Sequence, residues 1–354
     1  MINNTPIRMG LVGLGRAGWG MHCNEIASRA EKFQIVAVCD LEKDRLKRAA
    51  ERYGCRTYRR IEDLIADAEV ELVDLATRSP DHVPHAAAAL KAGKYVYCEK
   101  PIACTMQQLS QLRRVATAGR GKGRLFIRHN RRFEPGFVHI REIIASNVLG
   151  EVYEIKLRRN GYQRRDDWQT IIKCGGGQLL NWGPHIIDHS LQFLESPVAG
   201  LWSDLKRVAA LGDAEDHLKI VFKGQNGRIV DMEISGGAAI SEPEYLIFGS
   251  RGALTASGNT IKLRYIDPKQ KLPRRKARAA TPPHEGGFGN PEVLNWVEQT
   301  LEVRPAGMAG MEILWDCLYD SIRQGKAFPI KLEEAMAVAR VACGVKQGTA
   351  FLTT

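Results

Sequence analysis

The first third of the chain alternates short, continuous apolar runs with helical patterns. Apolar runs of strand length occupy 8–14, 34–39, 70–76, 95–98 and 124–128. Amphipathic spacing between them predicts helices over 16–30, 42–53, 81–92 and 105–119. Strands that are apolar throughout, alternating with helices, imply a parallel sheet covered on both faces. The pattern changes near residue 124. A helix is predicted over 135–146, followed by period-two segments at 151–158, 217–222, 228–234, 244–248 and 261–265. Such alternation predicts an antiparallel or mixed sheet with one exposed face. Three helices, at 291–303, 310–324 and 332–348, are expected to close the chain. Gly119, Gly121 and Gly123 mark a hinge between residues 1–123 and 124–354.

The turn after the first strand carries the first chemistry. Gly13-Leu-Gly15-Arg16-Ala17-Gly18 leaves a strand and opens a helix, the context in which this glycine spacing binds a dinucleotide. Gly13 allows the tight turn, Gly15 the approach of a pyrophosphate, and Gly18 close helix–strand packing. Free amides at the helix start favour the diphosphate. Asp40 ends the second strand, where an acid accepts hydrogen bonds from the adenosine ribose and repels a 2′-phosphate. NAD is therefore favoured over NADP, with Lys43 and Arg45 close enough in sequence to weaken the preference. The first segment is read as an α/β Rossmann domain. Thr77, Ser79, His82, Glu99 and Lys100 follow later strands and are expected on its cofactor side.

Composition narrows the class. The chain of 354 residues has a formal charge of +11, and its basic residues are dispersed except for one run at 269–278 (KQKLPRRKAR). No aromatic residue interleaves with that run, so a solvated loop is the simpler reading and nucleic acid is not expected as a partner. The start, Met1-Ile-Asn-Asn-Thr-Pro-Ile-Arg8, has no signal-like apolar stretch, and no run approaches the roughly 20 residues that span a bilayer. Eight scattered cysteines without a C-x-x-C agree with reduced thiols. A cytoplasmic protein without membrane association is expected.

Two further strings supply a reaction. Glu99-Lys100-Pro101 follows the strand at 95–98, at the end of the sheet that faces the crevice. There Lys100 can hold a substrate hydroxyl and stabilise a developing alkoxide. Gly175-Gly-Gly-Gln-Leu-Leu-Asn181-Trp-Gly-Pro184-His185-Ile-Ile-Asp188-His189 places His185, Asp188 and His189 on one helical face. His185 and His189 also fit a metal pair, but a hydrogen-bonded histidine is the commoner outcome and no metal is expected. Tyr162, Arg164, Arg165 and Trp168 form a polar, aromatic loop of the kind that sugar sites favour, although a solvated loop fits as well.

Together with Ser79-Pro-Asp-His82, Asn130-Arg131-Arg132-Phe and the Gly249-Ser-Arg-Gly252 turn, these motifs resemble the glucose–fructose oxidoreductase / inositol dehydrogenase (Gfo/Idh/MocA) family along essentially the whole chain. The resemblance implies a Rossmann domain followed by an α+β domain with a large open, mostly antiparallel sheet. The closing helices are expected to pack back on the first domain. It implies NAD-dependent hydride transfer at a secondary hydroxyl of a sugar or cyclitol, and a homodimer or homotetramer formed through the sheet. Lys100 and His185 match the family's catalytic pair. Asn181 stands where several members have aspartate and cannot carry charge, so proton transfer falls to His185 and Lys100. Asn181, Asp188, Arg132, Tyr162 and Trp168 are expected to meet substrate, with one of Arg131 and Arg132 reserved for a structural ion pair. The rival readings are an NAD-retaining enzyme that cleaves or isomerises a glycoside through transient oxidation, and a non-catalytic ligand sensor.

Overall fold

The computed structural model describes residues 5–280, 282, 283, 285, 292–304 and 310–352. Residues 1–4 of the chain start and residue 291 of the expected 291–303 helix lie outside the described residues. Six strands, β1 (Ile7–Val12), β2 (Phe33–Cys39), β3 (Arg56–Tyr58), β4 (Leu72–Leu75), β5 (Tyr95–Cys98) and β6 (Leu125–Ile127), form one sheet. Its order is β3-β2-β1-β4-β5-β6 and every pairing is parallel. The order reverses between β1 and β4, so the ligand crevice opens at their carboxyl ends. Met9, Leu11, Leu72, Val73 and Val96 are fully buried, as the continuous apolar runs require.

The expected helix over 16–30 is not regular. A π-type turn (Gly18–His22) leads into one α-turn, α1 (Cys23–Glu25), and a 3₁₀ turn (Ala27–Arg29). Gly18 and Gly20 weaken the α conformation there, and the wider turn lets the His22 amide bond to the Ala17 carbonyl at 2.9 Å. The helices α2 (Lys43–Tyr53), α3 (Ile61–Ala66), α4 (His82–Lys91) and α5 (Met106–Thr117) complete this half. Strand β3 and helix α3 escaped the sequence reading because three and six residues are too short to show a period.

After α6 (Pro135–Ala145), eight strands build the second sheet. They are β7 (Val152–Asn160), β8 (Val198–Lys206), β9 (His217–Gly224), β10 (Ile229–Ser235), β11 (Tyr245–Gly249), β12 (Gly252–Ser257), β13 (Thr260–Ile266) and β14 (Trp296–Glu302). Their order is β14-β13-β12-β11-β7-β10-β9-β8, antiparallel except where β7 meets β10. Helices α7 (Gln178–Asn181) and α8 (Gly183–Leu194) follow β7 in the chain, and α8 packs on the sheet's apolar face through Ile186, Ile187 and Phe193.

The helix expected over 291–303 is corrected to strand β14. Val297 and Leu301 are four residues apart, a spacing that shares a face in either conformation, and the free edge of β13 decides between them through Tyr265↔Val297 and Ile261↔Leu301. Strands β8 and β12 were also missed. The first exposes most of its length, and the second, GALTAS, is made of small residues.

The closing helices α9 (Ile313–Gln324) and α10 (Leu332–Gly344) return to the first half. Trp315, Leu318 and Tyr319 of α9 belong to the core beneath the parallel sheet. Helix α10 serves both cores: Ala335, Met336 and Ala339 face the first, while Val338 and Ala342 face the second. That double face fixes the crevice between the two sheets.

Candidate active site

The glycine turn has the geometry that a dinucleotide needs. Gly13 lies at φ +91°, and a Cβ there would meet the Ala76 carbonyl oxygen at 2.7 Å. A Cβ at Gly18 would fall 1.9 Å from the Gly13 oxygen, so helix and strand touch through bare backbone. Gly15 differs: the nearest atom to its would-be Cβ is Arg45 Nη1 at 4.0 Å, which leaves open space over the turn. The first helical bond is Trp19 N–H to Gly15 O at 2.9 Å, so the amides of Arg16, Ala17 and Gly18 precede it. Asp40 caps the turn from β2, accepting from Leu14 N at 2.7 Å and Glu42 N at 2.9 Å. Arg45 Nη1 stands 3.5 Å from the same carboxylate. Thr77, just past β4, buries its hydroxyl without a partner, and Ser79 is buried beside it. An orphaned hydroxyl next to an open glycine cradle fits a bound dinucleotide.

Across the crevice the two chemical motifs meet. The Lys100–Pro101 peptide is cis. Lys100 Nζ donates to the Asn181 carbonyl at 3.1 Å, joining the end of the parallel sheet to α7. Burial pushes the Lys100 ammonium down, while Glu99 pulls the other way. His185 sits in the first turn of α8, which begins Gly183-Pro184, a good start for a helix. Its ring is buried, and Nδ1 has no hydrogen-bond partner. Burial, then Lys100, Arg131 and His129, hold His185 well below the usual histidine range, so it is neutral and able to accept a proton. Trp182 meets the His185 ring edge-on at 6.1 Å and carries Arg131 over its face at 4.3 Å. Glu134 pairs with Arg131 at 2.8 Å and with Arg159 at 3.4 Å.

The triple glycine holds this wall in place. Gly177 lies at φ +105°, and a Cβ there would meet Glu215 Oε1 at 2.1 Å. That oxygen also accepts from Leu179 N at 3.1 Å, so Glu215 braces the start of α7 from within. Trp168 faces Arg78 of the first half at 5.7 Å.

Several expected contacts lie elsewhere. Asp188 is not offered to substrate: both its oxygens engage Arg132, whose guanidinium also reaches Glu334 on α10. Arg132 is therefore held in a structural pair, and so is Arg131, through Glu134. The His82 ring is buried between the carbonyls of Pro101 (2.7 Å) and Thr77 (3.1 Å), bracing the cofactor side from behind. Glu99 also points inward, to His22 and Arg128. Tyr162 is 61% exposed and joins Gly237 only through a backbone bridge. His189 stacks on Phe137 at 3.9 Å and bonds the Arg131 carbonyl at 2.8 Å, so it and His185 take different neighbours. Sequence reading missed His22, Asp74, Glu25, Arg128, Glu134, Arg159 and Glu215. Apart from Glu134, which follows the Asn130-Arg-Arg-Phe string and pairs with Arg131 within it, their partners are distant in the chain.

A six-stranded parallel sheet with this glycine turn, facing a lysine and a neutral histidine, defines an NAD(P)-binding oxidoreductase. The chain belongs to the GFO/IDH/MocA oxidoreductase family: residues 7–127 match its NAD-binding Rossmann fold and residues 137–255 its C-terminal domain. An oxidoreductase of Escherichia coli strain K12 is 29% identical over 286 residues, covering 80% of this chain and 78% of its own. The scyllo-inositol 2-dehydrogenase (NADP(+)) of Bacillus subtilis strain 168 is 24% identical over 95% of this chain and 91% of its own. An inositol 2-dehydrogenase of Salmonella typhimurium is 34% identical over a shorter stretch, 41% of this chain and 43% of its own. The fold is shared with an NAD-binding protein from Listeria innocua, at TM-score 0.75 and 24% identity over 96% of this chain and 93% of that one. It is also shared with the biliverdin reductase of Synechocystis sp. PCC 6803, seen with biliverdin and NADP+, at TM-score 0.73 and 21% identity over 98% and 99%. No helix among the described residues is long and apolar enough to cross a membrane.

Proposed function

We propose that the protein is a dehydrogenase that moves hydride between a secondary hydroxyl of a sugar, sugar derivative or cyclitol and a nicotinamide dinucleotide. The observation that supports this reading is the bond from Lys100 to the Asn181 carbonyl, which ties the lysine to the segment that leads into the neutral His185. The inositol dehydrogenases among the relatives support a polyol substrate.

Gly13, Gly15, Arg16, Ala17 and Gly18 would hold the diphosphate, Asp40 the adenosine ribose, and Thr77 and Ser79 the nicotinamide half. The bound nicotinamide supplies the hydride acceptor. His185 takes the hydroxyl proton through Nε2, since Nδ1 is sealed into the protein. Lys100 exchanges its bond to Asn181 for one to the substrate oxygen and stabilises the charge that develops there. Asn181 turns its uncharged amide toward the substrate, and Trp168 offers a face for a sugar ring. NAD is the preferred cofactor because Asp40 occupies the ribose position, although Arg45 lies close enough to temper that preference. Self-association through the open sheet face completes the reading.

The test is a screen of sugars, sugar acids, glycosides and inositols with NAD+ and NADP+, following reduced nicotinamide and products together. Reduced cofactor should accumulate with at least one polyol. Product formed without net reduction would favour the NAD-retaining reaction. Cofactor binding with no turnover on any compound would favour a sensor.

A further inference from the structure

Beneath Lys100 lies a cluster of buried charges that this chemistry does not use. Glu99 Oε1 accepts from His22 Nε2 at 3.0 Å and from Arg128 Nη1 at 3.1 Å. Its other oxygen accepts from the backbone N–H of Lys100 at 3.2 Å. His22 Nδ1 lies 2.8 Å from Asp74 Oδ2. Arg128 Nη2 reaches both oxygens of Glu25 at 2.6 Å, and Trp315 Nε1 of α9 donates to Glu25 at 2.7 Å. His22, Asp74 and Arg128 are all but inaccessible to solvent. The π-type turn delivers His22 to this place.

Well-packed apolar residues often serve stability as well as a buried ion cluster does, so such a cluster calls for a further role. Its charge count suggests one. Against burial, Asp74 and Glu99 raise His22 to about 9, so it is a cation at neutral pH. Against the same penalty, Arg128 and His22 hold Glu99 well below the usual carboxylate range. Three carboxylates (Glu25, Asp74, Glu99) surround two cations (His22, Arg128), and Glu99, the one that bonds both cations, is the one that adjoins Lys100. Lys100 also meets like charges on Arg16, Arg131 and, from the cluster itself, Arg128, and the buried rings of His82, His129 and His185.

We propose that Glu99, clamped by His22 and Arg128, is a positioning residue that fixes the Lys100 peptide and supplies the counter-charge for its ammonium in a crevice otherwise lined with cations. The inference rests on the reading of Lys100 as the group that meets the substrate oxygen. Lys100 is then oriented from within the first half of the chain, and α9 steadies the far end of the clamp through Trp315.

Trace acetylation of the full-length protein with acetic anhydride across pH, read lysine by lysine by mass spectrometry, gives the Lys100 midpoint without any turnover. Glu99→Gln should lower that midpoint by about one unit or more. Glu99→Asp, which restores the charge, should return it toward the native value. His22→Gln leaves Glu99 charged and should keep the midpoint at or above native, while lowering kcat more than it changes KM. A merely structural role would move all three variants alike. An unchanged midpoint in Glu99→Gln overturns the proposal. If that variant does not fold, a lowered midpoint in His22→Gln does so. Absence of nicotinamide-dependent turnover in the native protein would sink the dehydrogenase reading and leave the labelling result to stand or fall separately.

Discussion

A neutral imidazole beside a protonated amine is the arrangement on which the proposed reaction depends: burial and neighbouring cations keep His185 neutral, while Glu99 opposes the burial that pushes the Lys100 ammonium down. Replacing His185 with Ala should lower kcat by about 10²-fold or more, the usual worth of a positioned general base. Cofactor affinity, read by fluorescence of bound NADH, should barely change. Asp40 carries a separate prediction. Asp40→Ser removes the carboxylate that faces Arg45 at 3.5 Å, and should shift the ratio of NAD to NADP affinity toward NADP by about tenfold or more. An unchanged ratio in paired binding titrations would remove Asp40 from the ribose position. At this scale the sequence was informative wherever function is written locally. The glycine turn, Lys100 and His185 stand in contiguous strings, and the structure brings Lys100 to the Asn181 carbonyl, four residues ahead of His185. Asp188 shows the limit. The helical face was read correctly, but its partner Arg132 lies 56 residues away, and that pairing turns an expected substrate ligand into a joint within the protein.

Elements were legible where burial is uniform. Strand β5 is four residues long, yet its position at the centre of an α/β alternation made it readable. Strand β14 was not, because Val297 and Leu301 satisfy two periods and the deciding partner is β13. The irregular first helix was equally hidden, since the turn that carries His22 inward is stabilised by Asp74 and Glu99, 52 and 77 residues further on. The joint between α8 and α10 gives a stability prediction. Asp188→Asn leaves Arg132 with Glu334 alone; with the charge still partly compensated, the cost should fall below the about 3–5 kcal/mol of a fully broken buried pair. Urea unfolding should show a midpoint lowered accordingly. A loss below about 1 kcal/mol would mean that the pair is as weak as a surface ion pair.

The whole molecule should be most stable near neutral pH, for reasons that act in opposite directions. His22 is raised to about 9 in the fold, so its stabilisation is complete below about 6.5 and is lost as pH climbs through 9. His189 is depressed by burial to about 4, and burial also depresses His82, His129 and His185. For these four the unfolded chain takes up protons first, so stability is complete above about 6.5 and falls as pH drops toward 4. Melting temperatures across this range should trace a dome, and a flat profile would contradict the assigned burials. Outward-facing Trp202 and Trp296 stand on the two edge strands of the second sheet, 57% and 43% exposed. If this face joins copies of the chain, Trp202→Asp combined with Trp296→Asp should lower the sedimenting mass, whereas an unchanged mass would place association elsewhere.

The proposed function comes down to one event, the passage of hydride between a polyol and a nicotinamide held over the glycine turn, with Lys100 and His185 at the oxygen. The most direct measurement is reduction of NAD(P)+ by the polyol that the screen selects, compared between the native protein, Lys100→Ala and His185→Ala at matched cofactor saturation. Reduced nicotinamide should form with the native protein and fall by about 10²-fold or more in each variant, with cofactor binding retained. Turnover at the native rate in either variant, or binding of cofactor without turnover on any polyol in the native protein, would contradict it.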